Sequence, residues 1–407
     1  MTALEQRLGL GGSSAIGVAS MLGAGVFFVW TPAFERAGSW ILASLALAAL
    51  VATLNACVTA QLAMGHPGSG GIYRFGRHYR GPWVGFLAGW MFLTGKTASV
   101  AAISLVAGSY LWPEYSWAIA TVAIVLFAAL GIVGIRATAW WSVTVAVVVI
   151  AGLLVLVTPR LGSASLIPTG PDGTIAGMIS AAGLLFFAFA GYARMATLGE
   201  EVRHPRRTLP RAILLALTIT LAVYAAVALA VLPLLPGAQD ADTPLRLLVP
   251  PAWSGWVSAL AVVAALGSLS SVLAGMSRTA LEMARNGDLP SRLRSISTQT
   301  KGPLVAEVTV ALAGIIAVWL ADPAWLLASS AAGVLTYYAL GHWSALAQPP
   351  GERFLPAALP WTGLALCLLL IVFLPWTALL ASAAIAAVGV VWRLVITRAR
   401  PDRASSL

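Results

Sequence analysis

The chain has 407 residues, of which 59% are hydrophobic and only 9% are charged. Soluble proteins carry about 25% charged residues, so this composition excludes a soluble globular fold and predicts a membrane protein. The formal net charge of +10 could indicate a nucleic-acid partner, but the basic residues are spread over alternate loops, so no nucleic acid is expected.

Apolar runs long enough to cross the roughly 30 Å hydrocarbon core recur along the whole chain. The first run has no small-residue cleavage site behind it, so we expect a retained helix instead of a signal peptide. Most Lys and Arg residues lie in the loops of one side, and the positive-inside rule places both termini in the cytoplasm of a cell-membrane protein. We predict a single all-α transmembrane domain, residues 1–407, with twelve spans at residues 12–35, 38–64, 82–110, 115–135, 138–158, 175–199, 209–235, 253–284, 303–320, 324–346, 358–374 and 376–396.

The first predicted span contains AIGVASMLGAGVFFVW, residues 15–30, with Gly23, Ala24 and Gly25 at its centre. Glycine inside a helix costs about 1 kcal/mol relative to alanine, and a backbone group freed within a bilayer must find another partner. The sequence therefore predicts a broken helix whose interruption lies inside the protein or lines a cavity. No Lys-Ser/Thr pair follows the glycines and no strand precedes them, so a phosphate-binding loop is not expected.

A second interruption is predicted in the sixth span, where an apolar run passes Gly191 and enters the charged stretch GEEVRHPRR. A single glycine-rich membrane helix is more often explained by close helix packing. Two interrupted helices at equivalent positions of consecutive five-helix units, with opposite orientations, instead indicate an inverted-repeat transporter. The pair of breaks therefore favours a secondary transporter.

Four stretches carry a resemblance to a known family: GVASMLGAGVF, HPGSGGIYRFGRHYRGPWVGFLAGW, FFAFAGYARMATLGEEVRHPRRTLPRA and SRTALEMARNGDLP. They are similar to motifs of permeases in the amino acid–polyamine–organocation (APC) superfamily. The resemblance implies a LeuT-type fold, in which two inverted repeats of five helices form a ten-helix core with helices 1 and 6 broken. The core would cover about residues 12–346, and two additional helices would follow at about 358–396.

The predicted substrate site lies at the two breaks. An interrupted first helix exposes backbone N–H groups and the positive end of a helix dipole, which favour an α-carboxylate at residues 23–25. Carbonyls near Ala19 and Ser20, and others in the sixth span around Ala190, would accept from an α-ammonium. The resemblance implies that the matching positions bind an amino acid and that Phe187 is an aromatic gate. The predicted substrate-binding residues are Ala19, Ser20, Met21, Gly23, Ala24, Gly25, Phe187, Ala190, Gly191 and Val272.

The distribution of charge predicts the class of substrate. Every Asp and Glu lies in a loop or near a predicted helix end, so no carboxylate is expected at the depth of the breaks. Because an unpaired buried cation is costly, cationic amino acids and polyamines are disfavoured. Met21 and Val272 would complete an apolar pocket for small to medium neutral side chains. We therefore expect a secondary active transporter of neutral amino acids; an exporter or exchanger, a sodium-coupled carrier and an amine transporter remain alternatives.

Lys96 lies near the middle of the third span, and intramembrane ionisable residues are by default functional hypotheses. We predict that Lys96 is a proton-coupling or fixed-cation element of a symporter; the alternative is a lysine that only pairs with carbonyls of the broken helices. Related proton-coupled permeases carry such a lysine on the fifth helix, and the fifth span here has none. In the competing sodium hypothesis, Ser270 and Ser271 of the eighth span would be ion ligands.

The remaining chemistry-bearing residues indicate no further site. Cys57 and Cys367 fall in separate spans, and the histidines are dispersed without zinc spacing, so no metal and no cofactor other than the coupling ion is expected. No nucleophile–base or carboxylate–metal arrangement lies at membrane depth, so the chain is not expected to be an enzyme. The expected partners are an amino acid substrate and the lipid bilayer, and no obligatory protein partner is evident.

Overall fold

The computed structural model describes residues 8–66, 68–133, 135–161, 172–237, 243–300 and 302–398. Within these ranges the regular elements are helices, and a lone bridge pairs Leu8 with Val202. The α-helices are α1 (Leu10–Met21), α2 (Gly25–Phe28), α3 (Trp30–Ala37), α4 (Ile41–Gly65), α5 (Ile72–Arg80), α6 (Pro82–Leu111), α7 (Ser116–Val133), α8 (Ile135–Leu161), α9 (Ile175–Phe189), α10 (Ala193–Ala196), α11 (Pro205–Val231), α12 (Ser254–Arg285), α13 (Leu304–Leu320), α14 (Pro323–Ala345), α15 (Ala358–Val372) and α16 (Trp376–Arg398).

The predicted spans all fall on helices of this architecture. Among the described residues, nine helical segments are long and apolar enough to cross a membrane. Two more helices, α13 and α15, are apolar but shorter, and α14 has 23 residues and coincides with the tenth predicted span. The all-helical class is therefore confirmed over the described residues, while twelve crossings and the five-plus-five repeat stay predictions.

Both predicted interruptions are present in the backbone. In the first segment, α1 ends at Met21, Leu22 leaves the helical region with φ −86° and ψ 31°, and α2 begins only at Gly25. In the sixth-span segment, α9 ends at Phe189, a 3₁₀ turn covers Ala190–Tyr192, and α10 follows as a single turn. Below we call these interruptions the first break and the second break.

Small residues let the helices around the breaks approach closely. A Cβ atom added to Gly95 of α6 would lie 3.1 Å from the Cα atom of Gly333 in α14. Glycine pairs of this kind allow backbones to touch where hydrocarbon offers no hydrophobic drive for association. As a result α6, packed between α12 and α14, presents one face directly to the two breaks.

Ion pairs join the helices at one end of the bundle, which we call the arginine-rich end. Arg285 Nη1 lies 3.0 Å from Glu200 Oε1, and Arg74 Nη1 lies 3.7 Å from Glu282 Oε1. These contacts tie the loop after α10 to the end of α12, and α5 to the same turn. The opposite end includes Glu35 of α3.

A buried network lies just inside the arginine-rich end. Arg278 Nη2 is 3.1 Å from Glu201 Oε1, and Arg278 Nη1 is 3.4 Å from Glu307 Oε2. Arg194 Nη2 lies 3.7 Å from Glu201 Oε2. All four side chains are buried. Charges removed from water in this way must be paired, and the pairing links α10, α12, α13 and the loop after α10. We call these residues the four-residue network.

Candidate functional site

The two breaks lie against each other, backbone to backbone. A Cβ atom at Gly191 would lie 2.5 Å from the carbonyl carbon and oxygen of Ser20 and 2.7 Å from the amide nitrogen of Met21. A Cβ atom at Gly25 would lie 2.8 Å from the Cα atom of Ala188. Glycine is therefore required at both positions by close approach, since no rotation of a side chain can relieve a clash with backbone atoms.

A small cavity lies where the breaks, α6 and α12 meet. Its volume is about 10 Å³, enough for about one water molecule. It is lined by Ser20, Met21, Gly25, Lys96, Ser99, Ile103, Phe187, Ala188, Gly191, Ser268 and Val272. The lining combines hydroxyls, one ammonium and broken backbone on one side with apolar side chains on the other.

Side chains of neighbouring helices bond the carbonyls freed at the first break. Ser268 Oγ donates to the carbonyl of Ser20 at 3.1 Å, and the Tyr224 hydroxyl donates to that of Met21 at 3.3 Å. The N–H groups of Gly23 and Ala24 donate to no acceptor among the described residues. Buried backbone donors are rarely left without partners, so these two N–H groups are available to an anion.

Lys96 reaches the second break. Its Nζ atom donates to the carbonyl of Ala190 at 3.2 Å, and the side chain is only 5% exposed. Among the described residues, no Asp or Glu forms an ion pair with Lys96. A buried ammonium is therefore held by a backbone carbonyl of the broken segment, without a carboxylate to balance its charge.

The structure brings most of the predicted site residues to one place. Those that line the cavity are Ser20, Met21, Gly25, Phe187, Gly191, Val272 and Lys96. Ala19, Gly23, Ala24 and Ala190 belong to the breaks but lie outside that lining. Ser270 and Ser271 are buried in α12 and do not line the cavity, and Ser271 Oγ has no hydrogen-bond partner among the described residues.

Four lining residues are not among those predicted from the sequence: Ser99, Ile103, Ala188 and Ser268. Helical spacing could have found three of them. Ser99 and Ile103 follow Lys96 by three and seven residues and so share its face of α6, and Ser268 precedes Val272 by four.

Packed side chains lie on two sides of the cavity. Toward the opposite end, a larger space of about 520 Å³ contains Glu35 and Arg36 in its lining. The rings of Phe28 and Phe187 meet edge to face, with centroids 6.1 Å apart; Phe28 lines the larger space and Phe187 the small cavity. Toward the arginine-rich end, Arg194 of the four-residue network packs beside Gly275, within one turn of the cavity on α12.

Comparison with known proteins identifies the family of the chain. The family model described as "Amino acid permease" matches residues 12–406, nearly the whole chain. The chain belongs to the amino acid permease family. Members of this family are membrane transporters and not enzymes, so the permease described here is a multi-pass membrane protein, and the resemblance seen in its sequence motifs is confirmed.

Three relatives illustrate the range of the family. An uncharacterized transporter of Mycobacterium tuberculosis is 44% identical, over 98% of the permease and 93% of the relative. Cationic amino acid transporter 3, mitochondrial, of Arabidopsis thaliana is 28% identical over 85% of the permease and 63% of the plant protein. A branched-chain amino acid permease of Bacillus subtilis is 26% identical over 74% and 72%. These relatives support an amino acid transporter.

Proposed function

We propose that the permease is a secondary active transporter that moves small to medium neutral amino acids across the cell membrane, coupled to protons. The observation that carries the proposal is the meeting of the two breaks around a cavity into which Lys96 reaches. Family membership supports amino acids as substrates, and the two breaks supply groups that match both charges of an amino acid head group.

The head group would satisfy backbone groups of both breaks. Its carboxylate would accept from the N–H groups of Gly23 and Ala24, which lie just before α2 and have no protein acceptor among the described residues. An N–H group at a helix start suits an anion because of the direction of the peptide dipoles. Its ammonium would donate to the carbonyl of Ala190 or of Ser20. In this arrangement the N–H groups of the first break bind the carboxylate and a carbonyl of either break binds the ammonium, as the sequence predicts.

Relatives named for cationic and for branched-chain amino acids leave two candidate substrate classes. The lining favours the neutral class, because it contains no Asp or Glu and already holds one ammonium, that of Lys96. A cationic side chain would add a further charge with no acid to pair with it. Met21, Ile103 and Val272 would instead contact a neutral side chain.

Protons are favoured over sodium as the coupling ion by the positions of Lys96 and the serines. Lys96 is the ionisable side chain in the cavity lining, and it bonds the broken segment directly. The predicted sodium ligands Ser270 and Ser271 do not line the cavity. The hydroxyl of α12 that reaches the first break, Ser268, already donates to the carbonyl of Ser20.

Two closures on either side of the cavity fit an alternating-access cycle. The Phe28–Phe187 pair would part to admit substrate from the larger space, and the four-residue network would part to release it toward the arginine-rich end, or the reverse. The excess of Arg near that end supports a cytoplasmic position for it under the positive-inside rule.

Uptake into proteoliposomes tests the proposal. A panel of radiolabelled neutral, cationic and acidic amino acids is offered with a proton gradient in either direction, with a sodium gradient, and with none. We expect gradient-dependent movement of neutral amino acids that is lost in Lys96→Ala and kept in Thr97→Ala, a neighbour on the same helix whose hydroxyl bonds its own helix. Absence of movement or binding of every amino acid would refute the substrate assignment, and sodium dependence would refute the coupling.

A further inference from the structure

The carbonyl that Lys96 occupies is one that the proposed function assigns to substrate. Lys96 Nζ donates to the Ala190 oxygen at 3.2 Å, and this oxygen lies at the second break. An amino acid whose carboxylate lies at Gly23 and Ala24 would direct its ammonium toward this region. The lysine side chain therefore stands in the structure where a substrate ammonium would be expected.

Space and charge both oppose a second ammonium beside the first. The cavity volume is about 10 Å³, so this conformation has no room for an amino acid. A substrate ammonium could take the carbonyl of Ala190 only if Lys96 withdraws from it. Two cations about 4 Å apart repel strongly in a medium of low dielectric constant, and no acid of the described residues pairs with Lys96 to offset that repulsion.

The other ionisable groups around the site provide no ion-pair partner for Lys96 among the described residues. The titratable side chains on the elements packed against Lys96 include Arg194, Arg278, Tyr192, Tyr224, Tyr337 and Tyr338. Both arginines belong to the four-residue network, and both are paired with Glu201. None of these groups forms an ion pair with Lys96 among the described residues, so the charge at the second break is set by Lys96 and by whatever binds there.

We propose that the protonated side chain of Lys96 and the α-ammonium of the substrate share one subsite, the carbonyl of Ala190, and exclude one another. The inference rests on the proposed function and determines the direction in which protons move relative to the amino acid. When an amino acid binds, Lys96 leaves the carbonyl and gives its proton to water on the side to which the site is open. When the amino acid departs, the lysine takes up a proton and returns. Proton and amino acid then move in opposite directions, as in an exchanger, whereas the sequence predicts a symporter.

Equilibrium binding at several pH values tests the exclusion. Binding of radiolabelled L-alanine, L-valine and L-leucine is measured on the purified permease in detergent between about pH 5.5 and about pH 8.5. Competition with one proton predicts that affinity rises with pH, by up to about tenfold per pH unit where Lys96 titrates. Lys96→Met, which keeps the length of the side chain without its charge, is expected to bind tightly with no such pH dependence.

Lys96→Arg provides the matched variant with a permanent charge. Its affinity for the amino acid is expected to be at least about 100-fold weaker than that of Lys96→Met at every pH. The affinity of the wild type should lie near that of Lys96→Arg at low pH and approach that of Lys96→Met as pH rises. If Lys96→Met does not fold, Lys96→Gln takes its place, and the wild-type pH profile stands as a test by itself. Affinity that rises as pH falls, or equal affinity in the Met and Arg variants, would overturn the exclusion. Failure of every amino acid to bind at any pH would instead refute the proposed function.

Discussion

Replacement of Gly191 by alanine gives a sharp test of the contact between the two breaks. The added Cβ atom would lie 2.5 Å from the carbonyl group of Ser20, and both neighbouring groups belong to backbone. Overpacking of a core costs about 1–3 kcal/mol, and alanine recovers up to about 1 kcal/mol through the lower backbone freedom of the unfolded chain. Because the clash is with backbone, the upper end of that cost applies, and we expect a net loss of about 2 kcal/mol in the free energy of unfolding.

The same substitution should impair substrate binding, because the breaks can avoid the clash only by moving apart. Denaturant titration in detergent, followed by tryptophan fluorescence, measures the stability, and radioligand binding measures the site. Gly11→Ala is the matched control, since Gly11 lies exposed in α1 and an added Cβ would meet no atom within 4 Å. This control should be neutral or stabilising by up to about 1 kcal/mol. If Gly191→Ala behaves like Gly11→Ala in both assays, the backbone contact does not exist.

Two further predictions concern the arginine-rich end. Arg278→Met leaves the buried Glu201 carboxylate with one partner fewer and should cost about 3–5 kcal/mol in the free energy of unfolding. Arg292→Met, at an exposed position, should change that free energy by under about 0.5 kcal/mol, and equal effects of the two substitutions would contradict the network's role. Burial and the adjacent ring of His78 lower the pKa of His66 below its usual range. Neutral His66 therefore stabilises the fold above about pH 6.5, and this contribution is lost as pH falls through the lowered pKa. His66→Gln should therefore flatten the drop in melting temperature between about pH 7 and about pH 5, and an unchanged drop would contradict the assignment.

The sequence predicted those features that depend on local pattern. Apolar length placed the spans, and the second span predicted at 38–64 is α4 at Ile41–Gly65. Glycine inside an apolar run placed both breaks, because a freed backbone in a membrane requires protein or a cavity around it. Gly191 falls within the 3₁₀ turn that forms the second break.

Local sequence pattern does not predict features that depend on how distant helices are rotated against one another. A lysine within an apolar span marks Lys96 as unusual, but its partner, the carbonyl of Ala190, lies 94 residues away. The spacing of Ser268 from Val272 indicates their shared face of α12, but not that Ser268 bonds the carbonyl of Ser20, 248 residues away. Which face of α12 meets the break is set by helix crossing and not by a local motif.

A second limit concerns the charged loop after α10. The sequence shows that Glu201 and several arginines lie close together there, but the buried partner Arg278 comes from α12. Burial of the pair depends on packing of α10 and α13 around it, which residue type alone does not indicate. The sequence therefore predicts the residues of the candidate site more completely than it predicts the contacts that surround it.

The most direct test of the central claim is the position of a bound amino acid. The permease would be imaged by electron cryomicroscopy in lipid nanodiscs with a saturating amount of the neutral amino acid that it transports best. The account predicts a carboxylate within hydrogen-bond distance of the N–H groups of Gly23 and Ala24, and an ammonium on the carbonyl of Ala190 in place of Lys96. An amino acid bound only in the larger space beside Glu35, with Lys96 still on that carbonyl, would contradict it.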